Sequence, residues 1–282
     1  MTVLVTGARG KVARAVLDRL HAAGLPVRAA SARLADLSVP AGVGTVELVL
    51  GRPETFAAAL DGVRQVFLYP EPAGIGAFVE AARAAGVEHV VLLSSSSVLA
   101  PGAEADPLGS HNLSVERALA ASGLSCTFLR PDAFATNAFA WTHPIGRALP
   151  VELAYPEASL APIHPEDIAD VAVEALTGTA LRGHAVTLTG AQALTFREQL
   201  AVLSEVLDRD IAVKAIGRAE AEEQMARFMP PAMAGSLLDV WAAASATPAT
   251  IADTTETLLG TPARTFRQWA AENAPAFTAP GE

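Results

Sequence analysis

The stretch MTVLVTGARGKVARAVLDRLHAAG (residues 1–24) predicts a strand, a glycine turn and a helix in immediate succession. Residues 3–5 are an apolar run of the kind that forms a short buried strand. Apolar residues then recur four apart from Val12 to Leu20, which is the spacing of one helix face. Gly24 follows as a suitable helix end, because glycine tolerates the left-handed backbone found there.

The turn between these two elements has the spacing Gly7-x-x-Gly10-x-x-Ala13. Glycine lets the backbone approach a pyrophosphate closely, and the unpaired N–H groups at a helix start favour negative charge. We therefore predict a dinucleotide phosphate site here, with an ordinary tight turn as the alternative. The residues expected to form it are Gly7, Ala8, Arg9, Gly10, Lys11 and Val12.

Composition excludes several classes of protein. A chain of 282 residues can bury a large core as one big domain or two joined ones. Hydrophobic residues make up 51%, yet no uninterrupted apolar run approaches the length of a membrane span. The net charge of −10 argues against a nucleic-acid surface, because phosphate neutralisation needs clustered Lys and Arg. The six histidines are scattered, so we predict no metal site.

Cysteine usage favours a reducing compartment. Cys126 is the only cysteine, which excludes an internal disulfide and is typical of a cytoplasmic protein. Because the first predicted strand begins at the chain start, we also expect no cleavable signal peptide.

Strand-like and helix-like segments alternate through the first half of the chain. This alternation predicts an α/β fold with a parallel, doubly wound sheet that is covered by helices on both faces. Ligands in such sheets lie beyond the carboxyl ends of the strands. The further predicted strands are residues 26–30, 46–50, 65–69, 89–93 and 125–129, and the clearest helices between them are residues 76–85 and 113–121.

The second half of the chain has a different pattern. Its helices predict a smaller, mainly helical substrate-binding region over residues 151–282, interleaved with a dinucleotide-binding domain over residues 1–150. A helix and a strand within residues 163–190 are expected to contribute to that first domain. The tail, residues 274–282, contains two prolines and a glycine, so we expect it to be frayed.

Several ordered blocks carry a family resemblance over nearly the full length. They include VTGARGKVARAVLDRL, FVEAARAAGVEHVVLLSSSS, ERALAASGLSCTFLRPDAFATNAFAW and IHPEDIADVAVEAL. In these blocks the chain resembles the NmrA-like family of the atypical short-chain dehydrogenase/reductase (SDR) superfamily. The resemblance implies a Rossmann fold and NAD(P)H binding, with activities that range from small-molecule reductases to cofactor-sensing regulators.

The end of the second strand predicts which cofactor is used. An acid there would bind the ribose 2′-OH of NAD, whereas a basic residue would meet the 2′-phosphate of NADP. The chain has Ser31 and Arg33 at this point and no acid before Asp36, so we predict NADP(H) over NAD(H). Arg9 of the glycine turn could add to this phosphate site, and a solvated loop role for Arg33 is the alternative. The family usually has an acid after the third strand, where this chain has Arg52.

The catalytic pair of the superfamily is missing. Classical members use a Tyr-x-x-x-Lys pair, but neither Tyr69 nor Tyr155, the only tyrosines, has a lysine four residues later. A proton for reduction must therefore come from another side chain or from water, unless none is needed.

Polar residues follow the fourth and fifth strands at the predicted cofactor edge. Ser94 is expected to contact the cofactor, and Ser95 and Ser96 match the position of the superfamily's active-site serine. A serine-rich turn that caps its own backbone is the alternative. Tyr69 and Pro70 end the fourth strand and are expected to flank the nicotinamide, with packing as the alternative for Tyr69.

His111 is the best candidate for a proton donor. NmrA-like reductases often have a histidine four residues before a glutamate, but His111 lies five before Glu116, and Asn112 occupies the fourth position. Histidine titrates near neutrality, which suits proton transfer, and a solvated histidine at a helix start is the alternative.

The substrate pocket is predicted from the segment after the sixth strand. Phe134, Asn137 and Trp141 lie three and four residues apart and would share one helical face, although core packing explains such a pattern equally well. His164 is a further pocket candidate by its similarity to the family's strand-to-helix junction, with a turn role as the alternative.

Methionines form a second candidate pocket wall. Met225 and Met229, with Phe228 beside them, suit a deformable apolar surface, while ordinary helix packing is the alternative. Two prolines at 230 and 231 predict two helices joined by a corner at this point.

Together these features predict an NADPH-dependent reductase of a small apolar substrate of aromatic, quinone or carbonyl type. One alternative is a non-catalytic NADP(H)-sensing regulator that binds a partner protein. Another is a redox-neutral enzyme with a vestigial cofactor site. The expected partner is a small-molecule substrate, with a homodimer or a regulatory protein partner left open.

Overall fold

The computed structural model describes residues 2–278, and within them the chain forms eleven strands and twelve α-helices. The strands are β1 (Thr2–Val5), β2 (Val27–Ser31), β3 (Gly44–Glu47), β4 (Val63–Leu68), β5 (His89–Leu93), β6 (Ser125–Pro131), β7 (Val151–Leu153), β8 (Ser159–Leu160), β9 (Ala185–Leu188), β10 (Leu194–Thr195) and β11 (Val213–Ala215).

The α-helices are α1 (Lys11–Ala22), α2 (Phe56–Leu60), α3 (Ile75–Ala84), α4 (Pro107–Ala120), α5 (Thr142–Gly146), α6 (Pro165–Thr177), α7 (Phe196–Leu207), α8 (Arg218–Met225), α9 (Pro231–Ala246), α10 (Thr254–Leu259), α11 (Phe266–Asn273) and α12 (Pro275–Thr278). None of the helices within residues 2–278 combines the length and apolar character that crossing a bilayer requires.

Seven strands form one sheet in the order β3-β2-β1-β4-β5-β6-β9, and every neighbouring pair is parallel. The chain moves outward in one direction from β1 to β3 and in the other from β4 to β9. The strand order therefore reverses between β1 and β4, which is where open α/β sheets bind ligands. The predicted doubly wound, Rossmann-type sheet is confirmed.

The strands are apolar because helices cover both faces of the sheet. Leu4, Val66, Leu92 and Leu129 are fully buried on four neighbouring strands. A strand that is buried on both faces is a continuous apolar run rather than an alternating one, which is the pattern of residues 3–5.

The chain divides into two compact units. The first contains residues 2–105, 109–131 and 165–188, and the second contains residues 106–108, 132–164 and 189–278. Residues 132–150, which the sequence pattern assigned to the dinucleotide-binding domain, lie in the second unit. The helix and strand expected from residues 163–190 are α6 and β9 of the first unit.

Aromatic rings form the core of the second unit. Trp269 packs edge-to-face against Phe139 with ring centroids 5.1 Å apart, and Phe277 stacks on Phe139 at 5.9 Å. The expectation of a frayed tail is therefore wrong for α12, because burial of the Phe277 ring stabilises this turn of helix. Residues 279–282 lie outside the described residues.

Several predicted boundaries are shifted. The third strand is β3 over residues 44–47 rather than 46–50, because Leu48 and Leu50 enter the core from the loop that follows it. Helix α4 begins six residues earlier than predicted, at Pro107, because proline is well suited to the first helical position. The corner predicted at residues 230 and 231 is confirmed, since α8 ends at Met225 and α9 begins at Pro231.

A buried hydrogen bond between two polar side chains joins β5 to β6. His89 is fully buried, and its Nε2 lies 2.9 Å from Thr127 Oγ1. Because the Thr127 hydroxyl donates to the Leu181 carbonyl, it accepts from His89, which places the imidazole proton on Nε2. His89 Nδ1 has no hydrogen-bond partner in the described part of the chain. Burial, reinforced by the charge of Arg182, lowers the pKa of His89 to about 4.

We expect His89 to make folding sensitive to mild acid. Its pKa falls from an ordinary 6.5 to about 4 on folding, so the unfolded chain binds more protons between these values. The free energy of unfolding should therefore fall as the pH drops through this window, by at most about 3 kcal/mol. Urea unfolding of wild type and His89→Leu at pH 7.5, 5.5 and 4.5 measures this contribution. The variant should lose less stability in acid, and parallel pH profiles would contradict the expectation.

Candidate functional site

The glycine turn after β1 leaves a helix start uncapped. Gly7 has a φ of +62°, and the Gly10 N–H donates to the Gly7 carbonyl at 2.8 Å, closing a tight turn. Gly10 is the residue before α1, and no side chain caps the helix from that position. The first N–H groups of α1 therefore combine with the helix dipole to favour an anion, which fits a pyrophosphate.

The turn follows β1 and so lies at the switch point between β1 and β4, where Tyr69 packs directly on it. The Tyr69 N–H donates to Thr6 Oγ1 at 2.7 Å, which joins the ends of β4 and β1. A Cβ added to Gly7 would lie 3.0 Å from Tyr69 Cβ, closer than ordinary van der Waals contact. Tyr69 itself is 54% exposed, so its ring lies on the surface beside the turn. The structure thus brings together Gly7 and Tyr69, two residues predicted to bind the cofactor.

The loop after β2 presents two guanidinium groups. The Ser31 hydroxyl accepts from the Arg33 N–H at 3.1 Å and is buried, so it shapes the loop. Among residues 2–278 the exposed Arg33 guanidinium makes no hydrogen bond or ion pair. Arg9 pairs with Asp36 at 3.5 Å, with both side chains about half exposed. Arg52 pairs with Glu47 and is thereby occupied.

The remaining predicted phosphate residues lie in or beside the first turn of α1. Ala8 is buried and donates its N–H to the Ala30 carbonyl at 3.3 Å, which fixes the turn against β2. Lys11 is exposed at the first position of α1, and Val12 is buried beside it. Ala13 is also buried, in agreement with close packing of α1 on the sheet.

Ser94 is engaged in a polar cluster that sequence reasoning did not find. Its hydroxyl donates to Glu116 Oε1 at 2.5 Å, and Arg130 donates to both oxygens of the same carboxylate, at 3.0 and 2.6 Å. The Glu116 side chain is 5% exposed and that of Arg130 is 20% exposed. The available signal was a charged residue inside the apolar strand β6, since a buried charge needs a partner.

The serine turn after β5 forms a short 3-10 helix over Ser96–Leu99. The Ser95 hydroxyl accepts from the Ser97 N–H at 3.2 Å, which is the backbone-capping alternative for this serine. Ser96 is half-buried at the first position of that helix.

His111 lies on α4, and its Nε2 is 3.3 Å from the Pro70 carbonyl oxygen. Because a carbonyl only accepts, His111 donates from Nε2, and a proton passed to a ligand would have to leave from Nδ1. Glu116 is committed to Ser94 and Arg130 and is not the partner of His111. Asn112 is half-buried next to His111. The structure thus brings together His111 and Pro70, two predicted site residues.

The predicted helical face after β6 is wrong. Residues Ala135–Trp141 form a 3-10 helix with Phe134 before its first residue. Side chains three apart coincide in a 3-10 helix, but those four apart diverge. Asn137 is therefore exposed, whereas Trp141 is buried and packs edge-to-face on Phe196, with ring centroids 5.8 Å apart. Phe134 is half-buried.

His164 is 4% exposed, and its Nε2 lies 3.1 Å from Glu272 Oε2. Met225 and Met229 are half-buried around the corner between α8 and α9, and Phe228 is 87% exposed there. Within the second unit, a cavity of about 410 Å³ lies between α7 and residues 210–213, and none of the predicted pocket residues lines it. No group of three or more His, Cys, Asp and Glu in the described residues is arranged to hold a metal.

The amino-acid sequence matches the NAD(P)H-binding family over residues 7–179, more than half of the chain, including the glycine turn and the Ser94 cluster. The chain belongs to the NAD(P)H-binding family. As the quoted blocks imply, it is an NmrA-like, atypical SDR protein.

Two relatives are similar over almost their whole length. The chain is 39% identical to the (4-alkanoyl-5-oxo-2,5-dihydrofuran-3-yl)methyl phosphate reductase of Streptomyces griseus, covering 98% of this chain and 99% of that protein. It is 32% identical to the NAD(P)H azoreductase of Xenophilus azovorans, again over 98% and 99%. The NADPH-dependent quinone oxidoreductase of Escherichia coli, crystallised with NADPH, has the same fold, with a TM-score of 0.82 at 21% identity over 96% and 99% of the two chains.

These relatives confirm the predicted class of enzyme. The chain is an NAD(P)H-dependent oxidoreductase of the atypical SDR type. Its match to the family begins at Gly7, the first residue of the glycine turn.

We expect Gly7→Ala to abolish tight dinucleotide binding. A side chain at φ +62° costs about 1–2 kcal/mol, and the added Cβ would also press on Tyr69. The dissociation constant for NADPH, measured by calorimetry, should rise at least tenfold. Gly24→Ala is the matched control, because Gly24 has a φ of +72° with open space around its added Cβ. The control should lose similar stability and keep its affinity; equal losses of affinity in both variants would contradict a role for the turn.

Proposed function

We propose that the chain is an NADPH-dependent reductase of small, conjugated, electron-poor acceptors such as quinones and unsaturated carbonyl compounds. One observation carries the proposal: the phosphate turn at Gly7 and Gly10 is retained while the Tyr-x-x-x-Lys pair is absent. The chain thus has residues suited to hold the cofactor but lacks the Tyr-x-x-x-Lys pair with which classical members protonate a simple ketone.

The residues of the first unit fit NADPH. The uncapped start of α1 would hold the pyrophosphate, and Arg33, with its free guanidinium among the described residues, would hold the 2′-phosphate. The Ser31 hydroxyl supports this role by holding the Arg33 backbone. Arg9 is close enough to Asp36 that the carboxylate offsets part of its charge, so Arg33 is the main discriminating residue.

When bound, NADPH would supply a hydride, which is one proton with two electrons. The acceptor then needs one proton to complete its two-electron reduction. We propose that this proton comes from water or from protonated His111 through Nδ1, because Nε2 is committed to Pro70. The Ser95 hydroxyl accepts a hydrogen bond from the backbone of its own turn, so Ser95 is a weaker candidate for the proton donor.

The missing pair favours a particular type of acceptor. Hydride addition to a simple ketone concentrates charge on one oxygen, so a positioned acid is valuable. Addition to a conjugated acceptor spreads the charge over several atoms, and water can protonate the product. The substrates named for the two relatives fit this description: one has a ring C=C bond conjugated to two carbonyl groups, and the other has an N=N bond.

Charge favours an acceptor without a phosphate group. Residues 106–108, 132–164 and 189–282 contain sixteen Asp and Glu but only eight Lys and Arg, a net charge of −8. Arg197, Arg218 and Lys214 of this unit are each paired with a carboxylate. An anionic substrate would therefore be repelled, which favours a neutral acceptor over the phosphate ester of the Streptomyces enzyme.

We also propose a reducing, cytoplasmic location. Cys126 is buried, and burial raises the pKa of its thiol to about 11, so it is kept as an unreactive thiol.

We expect NADPH oxidation, followed at 340 nm, with p-benzoquinone, menadione and an α-alkanoyl butenolide, and little with cyclohexanone. The neutral butenolide should be a better substrate than its phosphate ester, and the difference should shrink as salt is added. Tight NADPH binding without turnover on any conjugated acceptor would overturn the proposal and favour the cofactor-sensing alternative.

We expect Arg33→Ala to reduce the preference for NADPH over NADH. Charge-assisted hydrogen bonds to a phosphate contribute about 1.5–3 kcal/mol, so NADPH affinity should fall about 10–100-fold while NADH affinity changes little. Arg52→Ala is the control, because Arg52 is paired with Glu47. If Arg33→Ala weakened both cofactors equally, a 2′-phosphate role would be excluded.

A further inference from the structure

Helix α4 is joined by side chains to the carboxyl ends of three adjacent strands. His111 donates to the Pro70 carbonyl after β4, at 3.3 Å. Glu116, five residues later, accepts from Ser94 directly after β5 and from Arg130 in β6. All of these contacts lie within the first unit, at the edge of the sheet where ligands bind.

Both oxygens of the Glu116 carboxylate are engaged in these contacts. It accepts three hydrogen bonds, one from Ser94 and two from the fork of Arg130, and its side chain is 5% exposed. The guanidinium balances its charge in bidentate geometry, which restricts both groups to one orientation. Because Glu116 is buried and paired with Arg130, it is poorly suited to act as a general base.

Through Ser94, this carboxylate determines where the chain leaves β5. The Ser94 N–H donates to the Leu129 carbonyl of β6 at 2.7 Å, while its hydroxyl donates to Glu116. Both polar groups of Ser94 are thus fixed immediately before the turn that contains Ser95 and Ser96. Through its helix, Glu116 also fixes the position of His111.

We infer that Glu116 is a positioning residue for hydride transfer, which acts through Ser94 and α4 to hold the nicotinamide end of the site. This inference rests on the proposed function and on the predicted position of the nicotinamide beside Tyr69 and Pro70, at the end of β4. Ser94 is accordingly a tether of the site rather than a ligand of the cofactor.

The position of this cluster predicts a separation between binding and turnover. The pyrophosphate and 2′-phosphate contacts proposed above belong to β1, α1 and β2, and they supply most of the affinity for NADPH. Loosening the exit of β5 leaves those contacts in place. Orientation of reacting atoms has a large effect on rate, so kcat should fall while affinity stays nearly constant.

The test uses the whole chain and compares Ser94→Ala, Glu116→Gln and Glu116→Asp. Ser94→Ala removes only the tether and keeps the ion pair, so it should fold even if Glu116→Gln, which leaves Arg130 unpaired, does not. For Ser94→Ala we expect kcat to fall 5–20-fold with a change below twofold in the dissociation constant for NADPH. The fluorescence anisotropy of the bound nicotinamide should fall as well, and Glu116→Asp should recover part of the loss seen in Glu116→Gln.

Asp170→Asn is the matched control. Asp170 pairs with Arg19 at 2.6 Å between α6 and α1 in the same unit, and its side chain is 26% exposed. This variant should lower the melting temperature without changing kcat or the anisotropy.

Unchanged kcat and anisotropy in Ser94→Ala, measured well below its melting temperature, would overturn the inference. So would a parallel loss in Asp170→Asn, because the cluster would then be merely structural. The anisotropy does not depend on turnover. If the wild type bound NADPH but reduced no acceptor, the proposed function would fail while the positioning of the nicotinamide could still be tested.

Discussion

The close packing of Tyr69 on Gly7 is the constraint on which the cofactor site depends. Parallel pairing of β1 with β4 brings the ends of these strands together, and the Tyr69 N–H closes the junction on Thr6. A residue with a Cβ would be strained at this positive φ and would press on the tyrosine. The Gly10 N–H closes the turn on the Gly7 carbonyl, and α1 begins beside it with no side-chain cap from Gly10, which suits an anion at the switch point of the sheet.

A second constraint acts at the ends of β5 and β6, and it is electrostatic. A guanidinium within β6 must be neutralised, and the carboxylate of Glu116 on α4 does so in bidentate geometry. The same carboxylate fixes Ser94, so a pair required for the burial of charge also shapes the ligand edge. In the inferred role of Glu116, one cluster therefore serves both the burial of charge and the positioning of the site.

We propose that a retained phosphate turn without the Tyr-x-x-x-Lys pair favours acceptors that need little help from an acid of the protein. An acceptor that delocalises the charge it receives makes little demand on the protein beyond orientation and exclusion of side reactions. Selection of the substrate then depends on shape and charge. In this chain the acidic second unit, in which Arg197 and Arg218 are paired with carboxylates, is the basis for the proposed preference for neutral acceptors.

The order of strands, turn and helices along the chain was predictable because the spacing of apolar residues indicates which side chains are buried. A continuous apolar run indicates a strand buried on both faces, which is typical of a parallel sheet. β5 and α7 were predicted at their observed boundaries, and so was the corner between α8 and α9. The missing catalytic pair was also determined by sequence alone, since no fold can supply an absent residue.

Only the tertiary structure decided which polar groups meet. The spacing of His111 and Glu116 departs from the family pattern and left their partners open. In the structure His111 bonds to Pro70, and Glu116 bonds to Ser94 and Arg130. Trp141 was misplaced because a 3-10 helix turns its side chains by a different angle from an α-helix. Periodicity is a local property, whereas the partner of a buried charge is chosen by which strands and helices pack side by side.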